Sequence, residues 1–316
     1  MPAAPGTFYS WGGAATGSTG AQSVNVVTVD PADPLISLEA SLSNDRATGL
    51  ERTSAQARRA SREGHRVVAA INGDVWGGYS GGGWSAPNGV HVRAGELMIA
   101  GTGLRPAFAV GADRRPRIGT IGVTIGLRRG DGSVLSVSRV NQSRRYGEIA
   151  LYTPRFGAST LTSGSGTEVL LRGAVLPLRP SGSVTATVAA VRRAAGNTAL
   201  GPGDLVLSAP AGGYDEVLAT FYVGEAVTLT TAITPGWEDI GELITGREWV
   251  VRDGAPWVWP RPSSADAAHP RSAAALTADG RVLLVTVDGR QPGVSGGVTL
   301  AELGQPATEP DGQPGL

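Results

Sequence analysis

Apolar positions along the chain mostly follow short, strand-like patterns. Residues 67–71 form an apolar run without a polar face, which predicts a strand buried on both sides, although a buried helix segment gives the same pattern. Alternating or β-branched runs predict further strands, at residues 24–30, 35–42, 133–140, 184–191, 204–208, 226–233 and 281–287. Residues 53–64 carry helix signals, namely a Thr-Ser-Ala-Gln capping box, an Ala- and Arg-rich stretch and a final glycine.

These patterns predict an α+β fold with a mixed β-sheet core, few short helices and an inserted β-rich subdomain. The 47 glycines and 21 prolines agree with many turns and short strands. We expect a flexible lead-in over residues 1–22 and a domain over residues 23–303, with the β-rich insertion at about 115–245. Residues 299–302 form a capping box that should start a helix, but glycine and prolines follow it. We therefore expect residues 304–316 to be a disordered, truncated or frame-shifted tail.

Composition and charge exclude several classes of function. The formal net charge of +0 argues against a nucleic-acid binder that relies on counterion release. The absence of cysteine excludes disulfides and thiolate chemistry. No run approaches the roughly 20 apolar residues that span a bilayer, and the first residues lack the basic start and apolar core of a signal peptide.

The loop after residues 67–71 contains the first candidate chemistry. It begins with Asn72 and Asp74 and continues with several glycines, among which lie Trp76, Tyr79 and Trp84. One interpretation is a mobile hairpin loop whose aromatic side chains cover the edge of the core. The other is a sugar-binding floor, with aromatic faces for a pyranose ring and Asn72 and Asp74 for hydroxyl groups or catalysis. An Asn-Gly turn at residues 88–89 and a hairpin over residues 90–97 follow.

A second cluster surrounds the apolar strand predicted over residues 281–287. Asp288 and Arg290 follow its end, and His269, Arg271 and Ser272 precede the hairpin to which it belongs. Ligands over open sheets often bind at such strand ends. Singly, these residues have ordinary explanations, because Asp-Gly is a common turn and a histidine before proline is often a capped loop residue.

In combination, the two regions resemble the phosphodiester glycosidase family, in particular its bacterial branch. The resemblance rests on Asn-Gly-Asp at residues 72–74, Leu-Tyr-Thr-Pro at 151–154, His-Pro-Arg-Ser-Ala at 269–273, Asp-Gly-Arg at 288–290 and Ser-x-Gly-x-Thr-Leu at 295–300. It covers most of residues 24–303. The family includes an enzyme that removes N-acetylglucosamine from a phosphodiester. The resemblance therefore implies a hydrolase that cleaves the sugar C1–O bond of a sugar-1-phosphodiester, located outside the cell or in the cell envelope.

The resemblance also implies roles for individual residues. Asp74 and Asp288 are the catalytic candidates, because an oxocarbenium-like transition state needs a nearby carboxylate. Arg271 and Arg290 are candidate phosphate clamps, because the planar guanidinium pairs bidentately with phosphate oxygens. The remaining substrate-binding candidates are Asn72, Ser272, Ser295, His269, Trp76, Tyr79 and Trp84. We expect both segments to face one shared cleft.

Two alternatives to this enzyme remain open. The Asn-Leu-Asp-Gly-Gly-Gly-Ser-type motif of the family's active site does not occur in the sequence, so a non-catalytic carbohydrate or cell-wall binding protein derived from such an enzyme is the main rival. A different hydrolase that combines Asp74 with Glu96 or Glu168 is the third interpretation, without a supporting motif. The sequence identifies no certain cofactor; Ca²⁺ is compatible with the loop carboxylates, although no compact EF-hand-like run of ligands occurs.

Overall fold

The computed structural model describes residues 2–16, 20–78, 85–257 and 267–305. Its strands, in chain order, are β1 Pro2–Ala4, β2 Thr7–Thr16, β3 Gly20–Val29, β4 Trp76–Gly78, β5 Ser85–Pro87, β6 His91–Arg93, β7 Glu96–Ile99, β8 Arg105–Gly111, β9 Pro116–Arg128, β10 Val134–Ser136, β11 Arg139–Val140, β12 Ala150–Tyr152, β13 Thr167–Arg172, β14 Gly182–Arg193, β15 Leu205–Ala209, β16 Ala226–Thr234, β17 Ile240–Thr245, β18 Val251–Arg252, β19 Ala255–Pro256, β20 Arg271–Leu276 and β21 Val282–Val287. The helices are α1 Thr53–Ala60, α2 Asp215–Leu218 and α3 Leu300–Leu303, and a 3-10 turn lies at Ser43–Asp45. The predicted α+β class, rich in strands and with few short helices, is confirmed.

The chain divides into two compact units. The first comprises Met1–Ser37, Ala57–Gly73 and Arg247–Leu316, and the second comprises Leu38–Gln56 and Asp74–Gly246. The β-rich insertion expected at about residues 115–245 falls within the second unit.

The sheet of the first unit has five antiparallel strands in the order β1-β2-β3-β21-β20. Strand β21 pairs with β3, so that Val24 lies opposite Val287, and it also pairs with β20, so that Arg271 lies opposite Val287. The start of β20, the end of β21 and the residues just before Val24 therefore meet at one end of the sheet. The predicted hairpin that contains residues 281–287 is confirmed, with its turn at Asp279 and Gly280, but its first strand begins already at Arg271.

The described residues before Ser23, where the sequence predicts a flexible lead-in, include paired strands. All ten residues of β2 pair with the ten residues of β3. Glycine, alanine and serine give this segment little apolar patterning, but backbone hydrogen bonds to a neighbouring strand do not depend on side chains.

The sheet of the second unit contains twelve strands, in the order β11-β12-β15-β13-β14-β16-β9-β8-β17-β6-β7, with β10 also paired to β9. Ala100, after β7, and Val140, in β11, exchange two backbone hydrogen bonds of 3.2 and 2.9 Å, so the sheet is nearly closed. Strand β16 shows the period-two burial of such a sheet, since its buried residues are Val227, Leu229, Thr231 and Ile233. Val227, Leu229 and Ile233 belong to the apolar core of the unit.

Two strand predictions are wrong. Residues 67–71 form no strand, and Val68 is 39% exposed, because no neighbouring strand pairs with this run in the described part of the chain. Residues 35–42 form no strand either, and the N–H of Ala40 bonds instead to the Glu242 carboxylate at 2.9 Å. An apolar run becomes a strand only where another strand supplies hydrogen-bond partners. Residues 133–140 form the two short strands β10 and β11 rather than one.

The helix signals are confirmed at both predicted starts. Helix α1 begins at Thr53, although Gly64 lies in a later turn between Arg62 and His65 rather than directly after the helix. Helix α3 begins with the predicted capping box, in which Thr299 and Glu302 each bond the other's backbone N–H. Residues 306–316, most of the predicted tail, lie outside the described residues. No helix in the described ranges has the length and apolarity needed to cross a bilayer.

Candidate functional site

Asp74 is a half-buried residue of the second unit whose two carboxylate oxygens have different surroundings. Its Oδ2 accepts a hydrogen bond of 2.7 Å from the backbone N–H of Gly89 and another of 2.7 Å from the hydroxyl of Thr245. Its Oδ1 is buried and has no hydrogen-bond partner among the described residues. Burial raises the pKa of the Asp74 carboxyl above its usual range, while the hydrogen bonds from Thr245 and Gly89 and the charge of Arg105 lower it in part. Perturbed carboxyl groups of this kind concentrate at functional sites.

Gly89 makes this arrangement sterically possible. A Cβ atom at position 89 would lie 1.8 Å from the Thr245 hydroxyl oxygen and 2.5 Å from Asp74 Oδ2. The Asn-Gly turn predicted at residues 88–89 therefore brings the backbone close enough to donate to the carboxylate. Asn88 fixes the other side of the turn, since its N–H donates to the carbonyl of Val75 at 3.0 Å.

A polar cavity of about 140 Å³ lies beside the same turn. Its lining residues are Asn88, Thr102, Arg105, Arg139 and Arg145. Three guanidinium groups around one small cavity make it a site of strongly positive character.

Asp288 of the first unit is fixed by hydrogen bonds to its backbone N–H, its backbone carbonyl and one carboxylate oxygen. Its N–H donates to the carbonyl of Ser23 at 3.0 Å, and its carbonyl accepts from the Ser295 hydroxyl at 2.7 Å. Its Oδ2 accepts from the Ser23 hydroxyl at 2.9 Å. Its Oδ1 makes no hydrogen bond with another described residue, and the side chain is only partly buried. Asp288, like Asp74, thus has one hydrogen-bonded oxygen and one oxygen without a partner among the described residues.

Ser295 and Gln22 form the buried support beneath Asp288. The Ser295 hydroxyl accepts from the N–H of Ser23 at 3.1 Å and lies 3.2 Å from Gln22 Oε1. The same Gln22 oxygen accepts from the N–H of Gly297 at 2.9 Å. Gly297 has φ +93°, and a Cβ there would lie 2.6 Å from the His269 backbone, so a side chain does not fit.

His269, Arg271 and Arg290 also come together in the first unit. His269 and Val298 exchange two backbone hydrogen bonds of 3.1 Å, and Arg290 Nη2 donates to His269 Nδ1 at 3.3 Å. Arg271 Nε donates to the Val298 carbonyl at 3.1 Å. Burial lowers the pKa of the Arg271 guanidinium, and the positive charges of Arg247 and Arg290 lower it further. The first unit therefore carries a cluster of guanidinium groups near its sheet end, with Arg290 hydrogen-bonded to His269.

Other predicted site residues are placed differently. Ser272 is exposed on β20 opposite Thr286, apart from this hydrogen-bonded cluster. Asn72 is exposed in a segment without regular structure, and Trp76, at the start of β4, is 57% exposed. Tyr79 and Trp84 lie outside the described residues.

The two glutamates of the third interpretation are structural. Glu168 is fully buried, and its carboxylate accepts hydrogen bonds from Thr160, Thr162, Thr198 and Ser208. Glu96 is paired with Arg155 through bonds of 2.7 to 3.1 Å. Neither carboxylate has the unpartnered oxygen that distinguishes Asp74.

The surroundings of the two aspartates do not resemble a calcium site. Within the described ranges, no group of three or more His, Asp and Glu side chains is placed to hold a metal ion. Calcium takes six to eight oxygen ligands, several of them carboxylates. We therefore derive no step through a metal.

Several site residues could not be predicted from sequence. Thr245 is 171 positions from Asp74, and Ser23 is 265 positions from Asp288, so no local motif links either pair. Nor does any local pattern indicate that the exposed Arg145 lines the cavity, or that Arg144 is partly buried, with hydrogen bonds to Ser163, Ser165, Ser208 and Ala209. Among these additional site residues, only Asn88 and Gly89 have a local sequence signal, which is the Asn-Gly turn that they form.

Solved structures that share this fold include those of two other proteins. One is a hypothetical protein from Synechocystis, with 20% identity and a TM-score of 0.75 over 95% of this chain and 54% of the other. The other is a "putative exported protein" from Burkholderia pseudomallei K96243, with 21% identity and a TM-score of 0.69 over 92% of this chain and 66% of the other. The chain thus spans about half of the first protein and about two thirds of the second. At such identity only the fold is shared.

No curated protein sequence matches the chain. Residues 212–311, however, match the family model of the phosphodiester glycosidases. The matched segment contains His269, Arg271, Asp288, Arg290 and Ser295. The resemblance of this chain to the phosphodiester glycosidase family is thereby confirmed.

Proposed function

We propose that the protein is a glycoside hydrolase that cleaves the sugar C1–O bond of a phosphodiester-linked sugar of the N-acetylglucosamine type. The family match supports glycosidase activity in general. The observation that carries the proposal is the position of Asp288 within that match. The carboxylate is fixed through Oδ2 and the backbone, its Oδ1 remains available, and Arg290 follows two residues later.

Asp288 supplies the charge that this reaction needs. Cleavage of the C1–O bond passes through an oxocarbenium-like transition state, which a nearby carboxylate stabilises directly or by activating water. The hydrogen bond from Ser23 to Oδ2 leaves Oδ1 to face the anomeric carbon or a water molecule. The phosphate leaving group is a weak base, so its protonation contributes less than in ordinary glycoside hydrolysis.

Arg290 and Arg271 are the proposed phosphate contacts in the first unit. A guanidinium group binds phosphate oxygens through two parallel N–H donors. Arg290 is exposed and has φ +60°, a backbone conformation that non-glycine residues adopt rarely and often at functional sites. Its bond to His269 Nδ1 orients the guanidinium. The same charge cluster lowers the cost of bringing a phosphodiester anion close to Asp288.

Asp74 is the second proposed acidic residue, and Asn72, Ser272, Ser295, Trp76, Tyr79 and Trp84 remain proposed substrate contacts. The raised pKa of Asp74 and its unpartnered Oδ1 suit a group that holds a proton and donates it. A carbohydrate phosphodiester is accordingly the proposed partner. The family resemblance and the description of the Burkholderia neighbour as exported support a location outside the cytoplasm.

The test measures hydrolysis of the methyl diester of N-acetylglucosamine 1-phosphate, with the released sugar quantified. Asp288→Asn and Asp74→Asn should each lower kcat/KM by roughly 100-fold or more, as expected when one charge-stabilising group is lost. Asp253→Asn and Asp131→Asn, in exposed turns of the first and second units, are the matched controls. Unchanged hydrolysis by Asp288→Asn would remove this residue from the mechanism. Binding of the diester without any turnover by the wild-type protein would favour the carbohydrate-binding alternative.

A further inference from the structure

The arginine-lined cavity of the second unit has charges that are not neutralised by their neighbours. Arg139 is buried and is paired with Glu148, whose carboxylate accepts hydrogen bonds from Arg139 Nε and Nη2. Arg105 and Arg145 make no side-chain hydrogen bond or ion pair with any other described residue. Two unpaired guanidinium groups beside a paired one give this small, partly open cavity a net positive charge, with Arg145 itself exposed to solvent.

The remaining lining residues add neutral donors to these charges. Thr102 contributes a hydroxyl group and Asn88 an amide. A cavity needs about 10–15 Å³ to hold one water molecule. The volume of about 140 Å³ therefore accommodates an oxyanion of several heavy atoms. The chemistry of the lining and the size of the cavity both match a small tetrahedral oxyanion.

Hydrogen bonds and one short backbone segment connect the wall of the cavity to Asp74. Arg139 Nη1 donates to Gln142 Oε1 at 2.9 Å, and Gln142 Nε2 donates to the Pro87 carbonyl at 2.8 Å. Two residues later, Gly89 donates to Asp74. Gln142 is fully buried, so the turn that holds Asp74 and the wall of the cavity share one rigid support.

We infer that this cavity is a binding site for the phosphate group of an anionic ligand, with Arg105, Arg139 and Arg145 as its cationic contacts. Arg105 and Arg145 supply the unpaired donors, and Arg139 is pre-oriented by Glu148. The proximity of Asp74 indicates that the ligand's reacting or uncharged part extends toward that carboxyl group. Only the identity of the ligand as a sugar phosphodiester rests on the proposed function; the site itself does not.

Calorimetric titration of the full chain with inorganic phosphate tests the site without any turnover. Arg105→Gln and Arg145→Gln remove the unpaired charges while Arg139, which has a buried ion pair, stays intact. Because charge-assisted hydrogen bonds are the stronger ones, the double variant should raise the Kd for phosphate by about tenfold or more. Arg128→Gln is the matched control, since Arg128 is exposed on β9 and lies seven residues, roughly 23 Å at about 3.3 Å per residue, from the pairing partner of Arg105.

The outcomes separate this inference from the proposed function. Phosphate binding that depends on Arg105 and Arg145, in a protein that does not hydrolyse the diester, would support the site and refute the hydrolase. Hydrolysis with an unchanged KM and unchanged phosphate inhibition in the double variant would refute the site and leave the hydrolase standing. Equal affinity of the wild-type protein for acetate and phosphate, or no phosphate binding at all, would also overturn the inference.

Discussion

The Thr245 hydroxyl, at the end of β17, donates a hydrogen bond of 2.7 Å to Oδ2 of Asp74. The same hydroxyl oxygen accepts from the N–H of Val90 at 2.9 Å, so its position is fixed by the neighbouring strand. This hydrogen bond favours the ionised carboxylate, whereas burial favours the protonated form, and burial is the larger effect. Thr245 is therefore a positioning residue that limits how far the pKa of Asp74 rises.

Thr245→Val should raise the pKa of Asp74 further. The substitution keeps the shape of the side chain and removes the donor, and a hydrogen bond to a charged group contributes about 1.5–3 kcal/mol, which corresponds to about one pKa unit or more. If the ionised form of Asp74 is the active one, the acidic limb of kcat/KM moves to higher pH; if the protonated form is active, the basic limb moves upward. Carboxyl NMR titration of Asp74 measures the same shift without an activity assay.

Thr245→Ser is the matched control for that prediction, because it retains the hydroxyl group. Its titration curve should stay close to that of the wild-type protein. If valine and serine variants titrate alike, the hydroxyl does not control the carboxyl group.

Local patterns predicted the elements whose determinants lie close together in sequence. The hairpin β20–β21 has an Asp-Gly turn between alternating or apolar strands, and the hairpin β6–β7 follows the Asn-Gly turn at residues 88–89. Helix α3 begins at the predicted capping box, and helix α1 begins at Thr53, the first residue of its predicted helix signal. Each of these signals spans a few residues, and the interactions that produce the element span the same few residues.

The errors and omissions have a common cause in long-range pairing. Residues 67–71 are as apolar as β21, but only β21 has neighbouring strands on both sides. Strand β2 has little apolar character, yet β3 pairs with its whole length. The partners of the candidate acids, Thr245 and Ser23, are likewise brought in from distant parts of the chain. Which distant segments meet is decided by the whole fold, and a local pattern does not contain that information.

Gly89→Ala should destabilise the second unit and disturb Asp74. A methyl group there would lie 1.8 Å from the Thr245 hydroxyl oxygen, so Thr245 or the turn must move. Overpacking of this kind costs about 1–3 kcal/mol, and chemical denaturation should show a corresponding loss of unfolding free energy. Gly246→Ala, where an added Cβ meets nothing within 4 Å, is the control and should change stability by no more than about 0.5 kcal/mol. Equal stability of both variants would contradict the close approach of the turn to Thr245.

His91 should make the stability of the second unit sensitive to acid. Its side chain is buried, both ring nitrogens lack hydrogen-bond partners among the described residues, and burial, aided by the charge of Arg93, lowers its pKa to about 3. Between pH 6.5 and 3 the unfolded chain takes up a proton that the folded chain does not. The unfolding free energy therefore falls as the pH decreases through this window, by about 1.4 kcal/mol per pH unit, and this contribution is fully present above about pH 6.5.

Comparison with His91→Leu isolates this contribution, because leucine has a similar volume and does not titrate. Urea denaturation of both proteins at about pH 7 and about pH 5 gives four unfolding free energies. The wild-type protein should lose about 2 kcal/mol more than the variant between the two pH values. Parallel pH dependence of the two proteins would show that His91 is not buried in its neutral form.

Ser295→Ala should destabilise the first unit through the support of Asp288. The substitution leaves the N–H of Ser23 and the carbonyl of Asp288 without their hydroxyl partner in a buried position, where Ser295 is only 1% exposed. Unpaired buried polar groups cost about 1–3 kcal/mol, so the unfolding free energy should fall by that amount. Ser272→Ala makes the same chemical change on the exposed face of β20 and should alter stability by less than about 0.5 kcal/mol. If the two alanine variants are equally stable, the Ser295 hydroxyl does not hold Asp288 in place, and the fixed geometry on which Asp288 depends as a catalytic candidate is lost.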